Sequence, residues 1–180
     1  MRSKNGPSND VVLISRLGCC ALLLGLTACA GYKLGPTNGL RAGEKSIQVV
    51  PFANQTIEPR LGDYSTAALR KQLQHDGTYR LNTRGEADIV LTGEVVQLRR
   101  IQLANQPRDT LTATDYSLNI TAKVTARERL SGKEILSREV SGHTAIHIGA
   151  DLDSSERQAW PLLAEDLARN ITSLLVDGTW

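Results

Sequence analysis

From Thr112 to Arg127 the chain alternates with unusual regularity. Thr112, Thr114, Tyr116, Leu118, Ile120, Ala122, Val124 and Ala126 fall on one parity, and Asp115, Ser117, Asn119, Thr121, Lys123, Thr125 and Arg127 on the other. Successive side chains of a strand point to opposite faces, so this stretch predicts one buried and one wetted face. A sheet built on such a strand needs cover on one side only. Ser131-Gly132 predicts a tight reversal, after which Lys133 to Ile148 returns with Val140, Ile146 and Ile148 in phase. Ahead of it, Ala87 to Leu103 reads as a long strand with apolar residues on both parities, as expected of a strand inside a sheet, and Asn105 to Asp109 is turn chemistry. The three strands predict an antiparallel meander.

The flanking segments supply the cover. Ser46 to Phe52 is short, β-branched and interrupted by Pro51, which predicts a first strand. After a polar loop from Ala53 to Pro59, Leu61, Tyr64, Ala68, Leu69 and Leu73 set a helical stripe over Arg60 to Asp76, ended by Gly77. Tyr79 to Thr83 is a brief extended piece. Near the C-terminus Asp153 can cap a helix with Glu156 completing a capping box, and Trp160, Leu163, Leu167, Ile171 and Leu174 form a core stripe running to about Val176. Pro161 should bend or weaken its first two turns. The order β-α-β-β-β-α, with a strand-helix-strand crossover right-handed in about 98% of proteins, predicts a two-layer α+β sandwich. In it two helices pack on one face of a four-stranded mixed sheet, whose other face is open and polar.

The N-terminus has a different character. Arg2, Lys4 and Arg16 precede an apolar run from Leu17 to Leu26, and Leu26-Thr27-Ala28-Cys29 follows. This is the pattern of a cleavable export signal, and it resembles the lipobox of bacterial lipoproteins, in which the thiol at Cys29 receives a lipid and the chain is cut before it. The run is far short of the roughly 20 apolar residues a membrane span needs. Residues 1–28 are thus expected to be a signal peptide, 29–45 a glycine-rich lipidated tether and 46–180 a single α+β domain. Several acyl chains on Cys29 would anchor the protein stably, since one chain alone holds marginally. Ala30 is not the aspartate that resembles an inner-membrane retention signal, so the periplasmic leaflet of the outer membrane is the expected location.

Composition narrows the chemistry. Of 21 Lys and Arg and 19 Asp and Glu, three basic residues and one acidic residue precede Cys29, so the mature chain is balanced and lacks the basic excess that nucleic-acid binding requires. All three cysteines, Cys19, Cys20 and Cys29, lie at or before the cleavage point, which excludes disulfides and zinc-thiolate sites from the domain. His143 and His147 would share a strand face with Glu139, but no ligand spacing accompanies them, and two polar residues on a wet face is the better reading. No nucleophile elbow, triad or phosphate-cradling glycine motif appears. No catalytic residue, metal site or cofactor is therefore predicted. Arg99, Arg100, Lys123, Arg127, Arg129, Lys133 and Arg138 gather in one region, most of them near adjoining strand ends. They read either as a solvated face interspersed with Glu128, Glu134 and Glu139 or as a site for a phosphorylated lipid, with Arg99, Lys123 and Arg127 the candidate residues.

Four pieces coincide in order: the lipobox followed by Gly31-Tyr32-Lys33-Leu34, the segment IQVVPFANQT at Ile47 to Thr56, ADIVLTG at Ala87 to Gly93, and AEDLARNI at Ala164 to Ile171. Together they resemble the LptE family of lipopolysaccharide-assembly lipoproteins across essentially the whole mature domain. The resemblance implies a non-enzymatic, lipid-anchored protein lodged in a large outer-membrane β-barrel, LptD, which it helps assemble and plug, and which delivers lipopolysaccharide to the cell surface. No family lipopolysaccharide-contact motif maps onto this chain. The PF-x-NQT turn is similar, more loosely, to that of curli-secretion lipoproteins and activators of penicillin-binding proteins, which would make the chain a protein-protein adaptor instead.

The lipobox yields a direct expectation. Mass spectrometry of the mature N-terminus should find an acylated chain beginning at Cys29, and Cys29→Ser should remain unprocessed. An unmodified chain beginning elsewhere would contradict it.

Overall fold

The computed structural model describes residues 42–106, 109–147 and 151–178, with backbone alone at 104–106 and 109–114. Cys29, the signal segment, the tether up to residue 41 and Ile148 lie outside the described residues. Among the described residues six strands and two helices follow one another: β1 (Ser46–Val49), β2 (Ala53–Asn54), α1 (Leu61–Asp76), β3 (Arg80–Leu81), β4 (Ile89–Gln106), β5 (Asp109–Glu128), β6 (Glu134–His147) and α2 (Leu152–Asp177). The sheet order is β3-β1-β4-β5-β6, with β2 also paired to β4. The α+β class and the antiparallel meander of β4, β5 and β6 are as expected. The sheet nevertheless has six strands where four were expected.

The extra two strands are short and parallel. Pro51 has no N–H to donate, so pairing along β4 stops after Val49 and resumes at Ala53, opposite Glu94. Beyond α1, which ends in a left-handed Gly77 whose N–H reaches the Leu73 carbonyl at 3.1 Å, Arg80 and Leu81 pair with Ser46 and Ile47. The start of β1 is pinned by Asp88, whose carboxylate accepts from the Ser46 hydroxyl at 2.6 Å and the Ser46 N–H at 2.8 Å. Those two bonds hold the Asp88 carboxyl below its ordinary value. Residues of the expected tether are already tied in here: the Gly43 N–H donates to Thr78 and the Lys45 ammonium reaches Glu128 at 2.9 Å.

Both helices cover one face. Leu118, Ile120, Ala122, Val124 and Ala126 of β5 are all buried, meeting Val140 and Leu136 of β6 and Ile47, Ile89, Leu91 and Val95 of β1 and β4. The apolar residues of β4 occur on both parities for a more specific reason than an interior position. A β-bulge between Val95 and Gln97 inserts one residue, so core-facing positions run through Ile89, Leu91, Gly93 and Val95 and then switch to Leu98 and Arg100, opposite Ile120 and Leu118. Gly93 carries no side chain, and the ring of Phe52 lies over it.

Helix α2 is the larger clamp. Trp160, Leu163, Leu167 and Ile171 are buried as the stripe predicted, but its last member is Leu175, fully buried, while Leu174 is only partly covered. The 3.6-residue repeat permits either ending, and the Tyr79 hydroxyl, donating to the Leu175 carbonyl at 3.1 Å, fixes the last turn. The cap is Asp151, which accepts from the Ser154 N–H at 2.6 Å, rather than Asp153, and Glu156 is drawn away to Arg100. The helix runs unbroken through Pro161. Pro161 and Arg157 are both exposed, so the carbonyl that loses its partner is free to meet water.

At the outer edge of β6, α2 also supplies hydrogen bonds. Asp166 accepts from the His143 N–H at 2.9 Å, and the Asn170 amide donates to the Ser141 carbonyl at 2.8 Å. Burial pushes the Asp166 carboxyl up, but the His143 N–H and Arg169 outweigh it and hold it low. These contacts blunt an edge that would otherwise invite pairing.

The packing is closest where β6 passes beneath α2. A Cβ on Gly142 would lie 2.6 Å from the Leu167 nitrogen and 2.8 Å from its Cα, backbone that cannot step aside cheaply. Gly142→Ala is therefore expected to cost about 1–3 kcal/mol through overpacking, and Leu167→Ala about 2–5 kcal/mol through the cavity it leaves. Glu165→Ala, which breaks only an exposed pair with Lys71, should cost at most about 1 kcal/mol. Chemical denaturation checks all three, and equal losses at 165 and 167 would contradict this packing.

The open sheet face as candidate functional site

The face away from the helices is built by the other parity of β5, flanked by β4 and β6. Ser117, Asn119, Thr121 and Thr125 are half-buried there, and Lys123 and Arg127 exposed. Short polar side chains bond along and across the strands: Thr121 and Ser141 hydroxyls lie 3.1 Å apart, and the Asn119 amide donates to the Ser117 hydroxyl at 3.2 Å. The surface consequently holds its donors and acceptors close to the backbone. Towards the β4–β5 turn its character changes. Ile101, in register with Ser117, is 50% exposed and Leu103 58%.

The three candidate basic residues share this face without converging. Arg99 stands opposite Asn119, Lys123 opposite Glu94 and Glu139, and Arg127 opposite Glu134, just past an irregularity in the β5–β6 register. Four residues of β5 separate each from the next, which at about 3.3 Å per residue is roughly 13 Å. Lys123 lies 3.9 Å from Glu139, and Arg127 3.4 Å from Glu134. A single phosphate could not engage all three, although a ligand with several anionic groups could span them.

The remaining members of the basic group separate further. Arg100, next to Arg99 in sequence, lies on the helix face because the bulge has shifted the parity. Its guanidinium binds the buried Glu156 carboxylate through Nε and Nη2, the latter at 2.8 Å, and Glu58 approaches to 3.6 Å. The Glu156 hydrogen bond holds the Arg100 proton more firmly than usual, with burial opposing it. Arg129 reaches Glu86 at 2.6 Å, and Arg138 has the parity of the helix face, opposite Val124. His143 and His147 each meet a different carboxylate, Asp166 at 3.3 Å and Asp115 at 2.8 Å. Among the described residues no three metal-ligating side chains form a group.

Two features of this region escaped the sequence reading. The Arg100 clasp depends on the bulge, and one extra residue in a strand carries no mark in a stretch where both parities are apolar. The Ile101 and Leu103 end of the face was hidden for the same reason.

A sheet clothed by helices on one side and polar on the other, among the described residues, defines a small two-layer α+β module. Its fold is shared by a protein from Xanthomonas campestris (9% identity, 81% of this chain and 92% of that one, TM-score 0.55). Similar too are a hypothetical protein from Chlamydia trachomatis (11%, 72% and 94%, 0.52) and the PelC dodecamer from Paraburkholderia phytofirmans (18%, 80% and 94%, 0.50). No curated protein sequence matches the chain. The family model for LptE, lipopolysaccharide-assembly, matches residues 44–175, and the chain belongs to that family.

The Arg100 clasp generates a measurable expectation. Arg100→Ala should leave Glu156 buried and unpaired, at a cost of about 2–3 kcal/mol. This is below the roughly 3–5 kcal/mol of a fully buried pair because Arg100 and Glu58 keep contact with solvent. The double variant Arg100→Met, Glu156→Leu should recover most of that loss in a denaturation cycle. An additive double variant would contradict the coupling.

Proposed function

We propose that this chain is a non-enzymatic, lipid-anchored outer-membrane protein that plugs and helps assemble an LptD-like β-barrel, through which lipopolysaccharide reaches the cell surface. Membership of the lipopolysaccharide-assembly family carries the reading. The geometry suits it: a broad face of hydroxyl and amide groups can form many weak hydrogen bonds with a wet barrel wall, and a neutral domain brings no strong field of its own. Attachment through Cys29 would hold the domain at the periplasmic leaflet. Arg99, Lys123 and Arg127, strung along the face, would form a subsidiary track for the phosphate groups of lipopolysaccharide.

Charge reversal at Lys123 and Arg127 separates the two roles. Lipopolysaccharide binding should weaken and become less salt-sensitive, because exposed charges act over about 10 Å at 0.1 M salt. Co-purification with the barrel should persist, since it rests on area and shape. Unchanged lipopolysaccharide binding would remove the track, and loss of the barrel from a folded variant would make these charges a protein interface.

A further inference from the structure

We propose a second binding site, away from the open sheet face, for a single-chain amphiphile with an anionic headgroup. It is a cleft of about 380 Å³ between the start of α1 and the second and third turns of α2, lined by Pro59, Arg60, Leu61, Tyr64, Arg157 and Trp160, together with Glu58. This volume lies within the range of small-molecule sites, about 300–1,000 Å³. The proposal does not depend on the barrel-plug reading.

Three observations point to this ligand chemistry. The wall is apolar and fixed: Leu61 is fully buried, Trp160 is 5% exposed, and Tyr64 packs against the core. A wall of this kind takes a hydrocarbon chain without rearranging. Arg60 and Arg157 stand at the rim, exposed, and neither forms an ion pair with a carboxylate among the described residues; Arg157 bonds only the Ser154 hydroxyl, at 3.2 Å. The acid in the cleft, Glu58, lies 3.6 Å from the Arg100 guanidinium, which it shares with Glu156, so its charge is partly met from behind the wall. Finally, α1 begins at Arg60 with no side chain capping it. An anion held by the two arginines would lie beside a helix start whose first N–H groups lack a side-chain acceptor.

The arrangement also orients the ligand. A smaller depression adjoins the cleft, lined by Glu58, Asp153, Glu156, Arg157 and Trp160, and is predominantly acidic. Glu58, Arg157 and Trp160 are shared with the cleft, and Asp153 and Glu156 disfavour an anion on the side of the depression, so the headgroup belongs towards Arg60, within reach of Arg157, while the chain lies over Trp160 and Tyr64. The cleft is too small for a multi-chain lipid, which limits the occupant to one alkyl or acyl chain.

Trp160 provides the readout. In the full chain carrying Trp180→Phe, octyl phosphate should change Trp160 fluorescence saturably. Octanol and inorganic phosphate, which each supply half of the chemistry, should bind at least about tenfold more weakly. Arg60→Gln with Arg157→Gln should weaken octyl phosphate at least about tenfold, since a hydrogen bond to a charged group contributes about that much or more. Arg60→Gln alone carries the same test if the double variant is unstable. No saturable change, or unchanged affinity in the arginine variants, would overturn the site. Inorganic phosphate binding as tightly as octyl phosphate would reduce it to a simple anion site, and octanol binding as tightly would reduce it to an apolar cleft; either result overturns the amphiphile.

Discussion

The close passage of α2 over β6, with Gly142 beneath the backbone of Leu167, is the contact on which the arrangement of layers depends. It brings Leu163, Leu167, Ile171 and Leu175 into one buried row, each almost wholly removed from water. Burial of one such side chain is worth roughly 1.5–3 kcal/mol, against a net stability that is typically about 5–15 kcal/mol. Once that row lies on one side of the sheet, the alternation of β5 leaves its polar parity uncovered by any other described element. The open face is thus a consequence of where the helix packs.

The bulge at Val95–Gln97 makes the second division. Before it β4 sends its odd-numbered side chains into the core, and after it the even-numbered ones. Two adjacent arginines thereby acquire opposite roles. Arg99 remains on the open face, whereas Arg100 ties the strand to Glu156 of α2 and Glu58 ahead of α1. The ends of both helices are gathered around that guanidinium, and the cleft bounded by Trp160 and Tyr64 lies beside it.

Much of this was legible in the chain. The strict alternation of Thr112 to Arg127 identified β5 and its buried parity because a strand has only two faces, and the Leu163, Leu167, Ile171 repeat identified the face of α2. The two shortest strands were not legible, since β2 and β3 have two residues each and arise only because β1 and β4 present partners. Asp153 and Asp151 are both competent caps by composition, and backbone geometry alone selects Asp151. For the candidate site, the alternation of β5 put Lys123 and Arg127 on the polar face, whereas the face of Arg99 follows from the bulge in β4 and the spacing of the three from the register. Proximity along three strands suggested a cluster, whereas register sets the residues four apart and places Glu139 and Glu134 beside two of them.

The central claim is that the chain meets its barrel through the open sheet face, with the helix layer turned away. Site-specific photo-crosslinking in cells tests it most directly, with a benzophenone side chain introduced singly at Asn119 or Thr125 on the open face, or at Lys71 or Arg169 on the outer helix surfaces. The account predicts crosslinks to an outer-membrane β-barrel from Asn119 and Thr125 and none from Lys71 or Arg169; crosslinks from the helix positions alone would contradict it.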